Sequence, residues 1–179
     1  MPTILTHPAV PLALAWGLSR RHISPRLAAA GALVAILPDL DVLAFRLGIP
    51  YAAQFGHRGF SHSLLFALLA ALLGTLLARW LHARAAVAFP FLALSGASHG
   101  LLDTLTNGGL GIALLWPLAE TRFFAPFRPI EVAPLALSRF FSERGLAVLG
   151  SELLWVWLPL LSLAALAAFL RRRATRPAP

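Results

Sequence analysis

The chain has 179 residues, 59% of them hydrophobic and only 12% charged, with fifteen basic residues, seven acidic ones and a formal net charge of +8. Soluble domains carry about 25% charged residues, so an ordinary soluble domain is excluded and a single integral membrane domain is indicated. The absence of cysteine removes a disulfide scaffold and a thiolate metal site, and the basic residues sit mostly at the ends of apolar segments, where they orient a membrane protein, so no nucleic-acid partner is expected.

The first residues lack a basic stretch, and His7, Pro8 and Pro11 interrupt the start. No secretory signal is expected, and the N-terminus is read as part of the mature fold. Ala9 to Leu18 is apolar but shorter than the roughly 20 residues that cross a bilayer. It is predicted to be a short helix, between His7 and Arg20, packed among longer ones. Leu27 to about Leu47 is a predicted span with Asp39 and Asp41 near its C-terminal end. Ser63 to Leu81 is a strongly apolar predicted span, with Ser61 or His62 placed to cap it. Ala85 to about Thr106 is another, carrying His99 and Asp103. Asn107 to Gly145 contains NGG and four prolines, so it is predicted to be a loop with short interfacial pieces. Trp116, Phe123, Phe124 and Phe127 suit the head-group level there. The last predicted span is Leu146 to Leu170, stopped by Arg171, Arg172 and Arg173. The predicted fold class is an all-α polytopic membrane bundle of about five helices. Residues 1–170 form one domain, and 171–179 a short basic cytoplasmic tail.

Arginine sets the orientation. Threading five helices puts Arg20, Arg21, Arg26, Arg79, Arg84, Arg171, Arg172, Arg173 and Arg176 on one side, read as cytoplasmic. Arg46, Arg58, Arg122, Arg128, Arg139 and Arg144 fall on the other side with all seven acidic residues. Every candidate metal ligand falls on that second, outer side.

Four ligand elements meet there. His99 and Asp103 are four residues apart, on one face of a helix, and ionisable groups within an apolar span are costly and usually functional. Asp39 and Asp41 lie at a helix C-terminus, where the macrodipole opposes negative charge and a cation would offset it. His57 and His62 lie within HRGFSHS together with Arg58, a candidate phosphate-holding side chain, and Gly59, which allows a close backbone turn. His7 joins the set by sharing its side. His22 and His82 fall among arginines on the opposite side and are excluded. Glu120 and Glu131 are possible further ligands with no spacing signal. A His and Asp set without Cys suits catalytic zinc, with manganese or iron as alternatives. A set this large suits two ions sharing a bridging Asp.

The early His7, the PDLD of Asp39 and Asp41, HRGFSHS (57–63) and SHGLLD (98–103) resemble the YdjM-type, LexA-regulated inner-membrane proteins described as metal-dependent hydrolases. The resemblance covers about the first 130 residues. That family is in turn similar to zinc-dependent phospholipase C and the single-strand-specific zinc nucleases. Those enzymes use an early His, a mid-chain Asp, a further His and an H-x-x-x-D pair. His7, Asp39 or Asp41, His57 or His62, and His99 with Asp103 match that order. No His follows Asp103, so the third zinc site of the soluble enzymes is not expected.

The resemblance implies a multi-pass protein of the bacterial inner membrane with its site facing the periplasm. The expected activity is metal-dependent hydrolysis of a phosphoester on a lipid or lipid-linked head group. Asp41 and His62 are candidate acid or base groups, and Arg58, with Arg122 or Arg128, is a candidate phosphate holder. The alternative is a metal-ion transporter or a metal-binding membrane protein without hydrolytic activity. Transporters usually bind near the midplane, whereas these ligands lie at helix ends.

Overall fold

In the computed structural model, residues 1–134 and 140–174 are described. Arg139 and the distal tail with Arg176 lie outside the described residues. The protein is all-helical, with five main helices and, among the described residues, no β-strand beyond two isolated bridges. Helix α1 is Ala9–Leu18, α2 is Pro25–Ile36 and α3 is Leu64–Leu76. Helix α4 is Ala85–Thr104, and α5 runs over Glu143–Ala174 with a π-helical stretch at Leu153–Trp157.

Three segments are long and apolar enough to cross a membrane: Pro25–Leu47, Ala85–Thr104 and Glu143–Ala174. The first is not α-helical throughout. At Leu37 it tightens into a 3-10 helix that continues to Leu47. Pro38 stands at that junction and has no N–H to continue the α-helical ladder. Asp39 therefore lies in the first turn of the 3-10 helix, not at the end of a longer α-helix as its sequence position implied.

Helix α3 is shorter than expected. It has 13 residues, followed by turns through His82, so the regular helix is about 20 Å long and falls below the length for a span by itself. Its cap is Ser63, whose hydroxyl accepts from the Phe66 N–H at 3.1 Å, and not Ser61 or His62. Helix α5 is longer than expected. It continues through Arg171–Arg173 to Ala174, where positive side chains complement the negative end of the helix dipole.

Helices α3 and α4 pack antiparallel, whereas α1 runs parallel to α5 and α2 parallel to α4, and the helix ends separate two poles. At one pole the Ser24 hydroxyl donates to the Leu81 carbonyl and Arg26 to the Trp80 carbonyl. Arg171 donates to the Gly17 carbonyl there. At the other pole lie the start of α1, the 3-10 helix, the start of α3 and the end of α4. The core near the arginine pole joins α2, α3 and α4 through Leu27, Ala71, Phe91 and Leu92. Outside it the apolar surface stays open. Leu72, Leu73, Leu76, Leu163 and Leu166 are exposed, and only 17% of the apolar window of α5 is buried. A surface this apolar on a monomer marks a lipid or partner interface.

The described part of the expected loop after α4, up to residue 134, is irregular. It is held by the Ile112–Phe123 pair, which exchanges two backbone bonds of 2.9 Å, and by the Asn107 N–H on the Ile130 carbonyl.

Gly100 sets how closely α4 approaches the turn before α3. A Cβ there would lie 2.6 Å from the His62 backbone oxygen. Gly100→Ala should therefore destabilise the fold by about 1–3 kcal/mol. Gly150→Ala, where nothing lies within 4 Å, should be neutral or slightly stabilising. Thermal unfolding of the two variants in the same detergent checks this; equal melting temperatures would contradict it.

Candidate metal centre

The second pole gathers polar side chains that apolar sequence otherwise keeps apart. His7, Asp39, His57, His62, His99 and Asp103 are all buried, and Asp41 is partly so. His7 stands just ahead of α1. Asp39 comes from the 3-10 helix, His62 from a single 3-10 turn (Phe60–His62) before α3, and His99 and Asp103 from one face of α4.

At the centre, two imidazoles face two carboxylates. His7 Nε2 is 3.6 Å from Asp39 Oδ2 and 3.7 Å from Asp103 Oδ1. His99 Nε2 is 3.6 Å from Asp39 Oδ1 and 4.0 Å from Asp103 Oδ2. The His7 and His99 rings stack at 3.7 Å. Both oxygens of Asp39 and of Asp103, both nitrogens of His7, and Nε2 of His62 and of His99 have no hydrogen-bond partner among the described residues. Buried polar groups are normally satisfied. Ligand atoms about 2.0–2.1 Å from a tetrahedral ion lie about 3.3 Å from one another. One atom each of His7, His99 and Asp103, and one each of Asp39, His62 and His99, lie within 4.8 Å of one another, somewhat wider than that spacing, as suits a candidate cation site.

A second layer fixes these side chains. His99 Nδ1 lies 2.7 Å from the Ala35 carbonyl, which places the N–H on Nδ1 and turns Nε2 to the centre. His62 Nε2 lies 3.3 Å from Asp103 Oδ2, and its Nδ1 lies 3.1 Å from Asp41 Oδ2. A carboxylate behind an inward-facing imidazole is the usual support of a metal-ligating His. Asp41 also accepts from Ser61 Oγ at 2.6 Å and from the Arg58 N–H at 3.1 Å, and pairs with His57 Nδ1 at 2.5 Å. The sequence left Asp39 against Asp41 and His57 against His62 undecided. The structure turns Asp39 and His62 to the centre and joins Asp41 to His57 behind them.

Charge follows the same division. Burial pushes the His7 imidazole down to about 4, which leaves it neutral at pH 7. Burial also opposes protonation of His62, but the Asp103 and Asp41 carboxylates outweigh it and push His62 up to about 9.

Arg58 needs a correction. It was expected to hold a substrate phosphate, yet it is fully buried. Its Nη1 donates to the Gly108 and Leu110 carbonyls at 2.8 Å, its Nη2 to Thr106 Oγ1 at 2.9 Å, and its Nε lies 3.5 Å from Asp103 Oδ2. It is a strut between the centre and the loop after α4. Gly59 has a similar internal duty: a Cβ there would lie 2.0 Å from the Gln54 carbonyl oxygen. Arg122 likewise donates to the His57, Gly111 and Ala53 carbonyls. Arg128 is exposed and lies over the Phe124 ring. Glu120 bonds Gln54 and Glu131 pairs with Arg144, so neither joins the centre. His22 and His82 are exposed at the arginine pole.

The sequence reading missed Glu152. This carboxylate is 1% exposed within α5 and accepts from the Thr3 N–H, from Thr3 Oγ1 at 2.7 Å and from Thr6 Oγ1 at 2.7 Å. It ties the N-terminal segment to α5 and thereby places His7. An acidic residue inside an apolar run was the signal available.

These features define an all-α membrane protein with a buried His and Asp centre at one end of its helices. The chain belongs to the YdjM inner membrane protein family, whose model matches residues 1–175. It is 51% identical to the inner membrane protein YbcI of Escherichia coli (strain K12) over 160 residues, which is 89% of this chain and 92% of that protein. It is 40% identical to the inner membrane protein YdjM of the same organism, and to that of Shigella flexneri, over 114 residues; these are 59% of this chain and 54% of each relative. No solved structure matches the chain significantly.

Arg58→Ala would leave two carbonyls, the Thr106 hydroxyl and one face of Asp103 uncompensated. The expected loss is about 3–5 kcal/mol of stability, with Arg58→Lys recovering only part because it lacks the fork. Thermal unfolding checks this; a wild-type melting temperature for Arg58→Ala would contradict the strut role.

Proposed function

We propose that this protein is a membrane-bound metal-dependent hydrolase, acting on a phosphoester of a lipid or lipid-linked head group. The observation that carries the reading is that His7, Asp39, His62, His99 and Asp103, eight of whose buried atoms have no hydrogen-bond partner among the described residues, gather in overlapping groups at one pole. His7, Asp39, His99 and Asp103 would hold a divalent ion, with His62 beside them. Zinc suits this donor set best, followed by manganese or iron. One ion is proposed rather than the two that the number of ligands first implied, because Asp41 and His57 already satisfy each other. When bound, such an ion lowers the pKa of a coordinated water and stabilises phosphoryl oxygens.

The rest falls to the chain's own groups. Hydrolysis joins the water oxygen to phosphorus, breaks the bond from phosphorus to the leaving oxygen, and delivers a proton to that oxygen. His62 is the candidate donor, with its proton at Nε2 and its charge balanced by Asp41 at Nδ1. Arg58 positions Asp103 and the loop. The chain order of these His and Asp residues, His7, Asp39, His62, His99 and Asp103, resembles that of the zinc phospholipases and nucleases, which supports phosphoester chemistry. A metal transporter is the second reading, favoured by the complete burial of the centre.

Purified protein is expected to carry about one transition-metal ion per chain. His99→Ala and Asp103→Ala should lower that content, whereas His22→Ala should not. Asp41→Asn should keep most of the metal and lose at least about tenfold in phosphoester hydrolysis. If the wild type hydrolyses nothing across a broad phosphoester panel yet moves metal ions into vesicles, transport replaces hydrolysis.

The centre is proposed to face the periplasm, with the arginine pole in the cytoplasm. Reporter fusions after Arg84 and after Arg173 should both read cytoplasmic. An external signal from either would overturn this orientation.

A further inference from the structure

A buried centre that reacts with a substrate needs a route to it. A cavity of about 740 Å³ runs up to Asp39. Its walls come from the N-terminal segment and the 3-10 helix, and include Ile4, Leu5, Val42 and Phe45. Leu5 is 64% and Ile4 46% exposed, so the cavity is open to its surroundings. Arg46 also lines it. That side chain is exposed, and no hydrogen bond or ion pair engages it among the described residues. The other arginines considered for anion binding differ: Arg58 and Arg122 are consumed by backbone carbonyls, and Arg128 lies over Phe124.

The volume is that of an ordinary small-molecule site, in which apolar walls supply contact area and a few polar groups fix orientation. Among the described lining residues the charged side chains are Arg46 and Asp39, with the Met1 N-terminus and Thr3 as the other polar groups. A sugar or a nucleotide would bring many polar groups to walls that could not satisfy them. An anionic head on an apolar chain matches both features.

We propose that this cavity binds a phosphoester amphiphile, with its apolar chain against Ile4, Leu5, Val42 and Phe45 and its anionic head on Arg46, next to Asp39. The proposal rests on the hydrolase reading for the identity of the head group, but its test does not require turnover. Arg46 then replaces Arg58 as the residue that holds the substrate's charge. It acts through an accessible guanidinium able to make the forked contact that phosphates favour.

The test uses the full chain in lipid nanodiscs and two photoreactive probes. One is a phosphatidic acid with a diazirine on its acyl chain, and the other is the matching uncharged diacylglycerol. Labelled peptides are mapped by mass spectrometry. The phosphatidic acid is expected to label residues 4–5 and 42–45 at least fivefold above the exposed leucines of α3 and α5. Arg46→Gln should lower that labelling severalfold without changing labelling by diacylglycerol. Val42→Trp, which fills the cavity, should lower both. Leu5→Trp, at an exposed position that tolerates bulk, should do the same if Val42→Trp fails to fold. Excess inorganic phosphate should not displace the probe, since the chain supplies most of the contact. Uniform labelling over all lipid-exposed helices overturns the proposal, as does cavity labelling that survives both Trp variants. If labelling is as expected but no phosphoester is hydrolysed, the amphiphile site stands and the hydrolase reading fails. If water-soluble phosphoesters are hydrolysed without cavity labelling, the reverse holds.

Discussion

Two carboxylates, those of Asp39 and Asp103, are buried without a hydrogen bond to either oxygen among the described residues. An uncompensated buried charge is among the most expensive features a fold can carry. Much of the second pole can be read as a response to it. His7 and His99 face both carboxylates, His62 approaches Asp103 with Asp41 behind it, and Arg58 lies along the remaining face of Asp103. The side chains moderate the negative charge but do not hydrogen-bond it. That combination of partial compensation and open lone pairs belongs to a cation site more than to a salt-bridge network, in which the partners would close on one another.

The backbone is shaped to permit this gathering. Pro38 turns α2 into a tighter helix just before Asp39. Gly100 lets α4 touch the backbone of His62. Arg58 has φ 64°, a conformation uncommon for a residue with a Cβ. It is held there by the carbonyls that its own side chain reaches. Glu152 reaches across from α5 to hold Thr3 and Thr6, so the last helix places His7. Glu152 lies at the start of a π-helical turn, a local irregularity that often accompanies functional sites. Each device costs some stability, and each acts on a ligand or on its immediate support.

The two poles divide the work. At one end arginines and backbone carbonyls tie the helix ends together, with the two remaining histidines exposed. At the other end the ionisable groups are buried and the irregular loop after α4 covers them. Between the poles the helices expose leucine, as expected of surface that meets lipid. A short α1 and a short α3 fit this scheme because their starts, at His7 and His62, bring imidazoles to the centre. Their length is set by packing against α5 and α4 rather than by the membrane alone.

Sequence by itself determined the class, the approximate helices and a set of candidate site residues. Composition and the lengths of the apolar runs are additive properties, and an ionisable residue in an apolar segment stands out without a structure. His99 and Asp103 stood out in that way, Asp39 with Asp41 and His57 with His62 were legible as pairs, His7 joined by sharing their side, and His22 and His82 were excluded. What the sequence did not resolve were choices between neighbours: Asp39 or Asp41, His57 or His62, Ser61 or Ser63 as a cap. Those depend on the direction of each side chain in a 3-10 turn, where a shift of one residue rotates it by about 120°. Only the tertiary structure decided them, by placing Asp41 where it could accept from Ser61, the Arg58 N–H and two imidazoles at once. It also decided the roles of Arg58 and Glu152. A guanidinium beside ligands reads as a substrate contact until the carbonyls that consume it, fifty residues away in sequence, are folded against it.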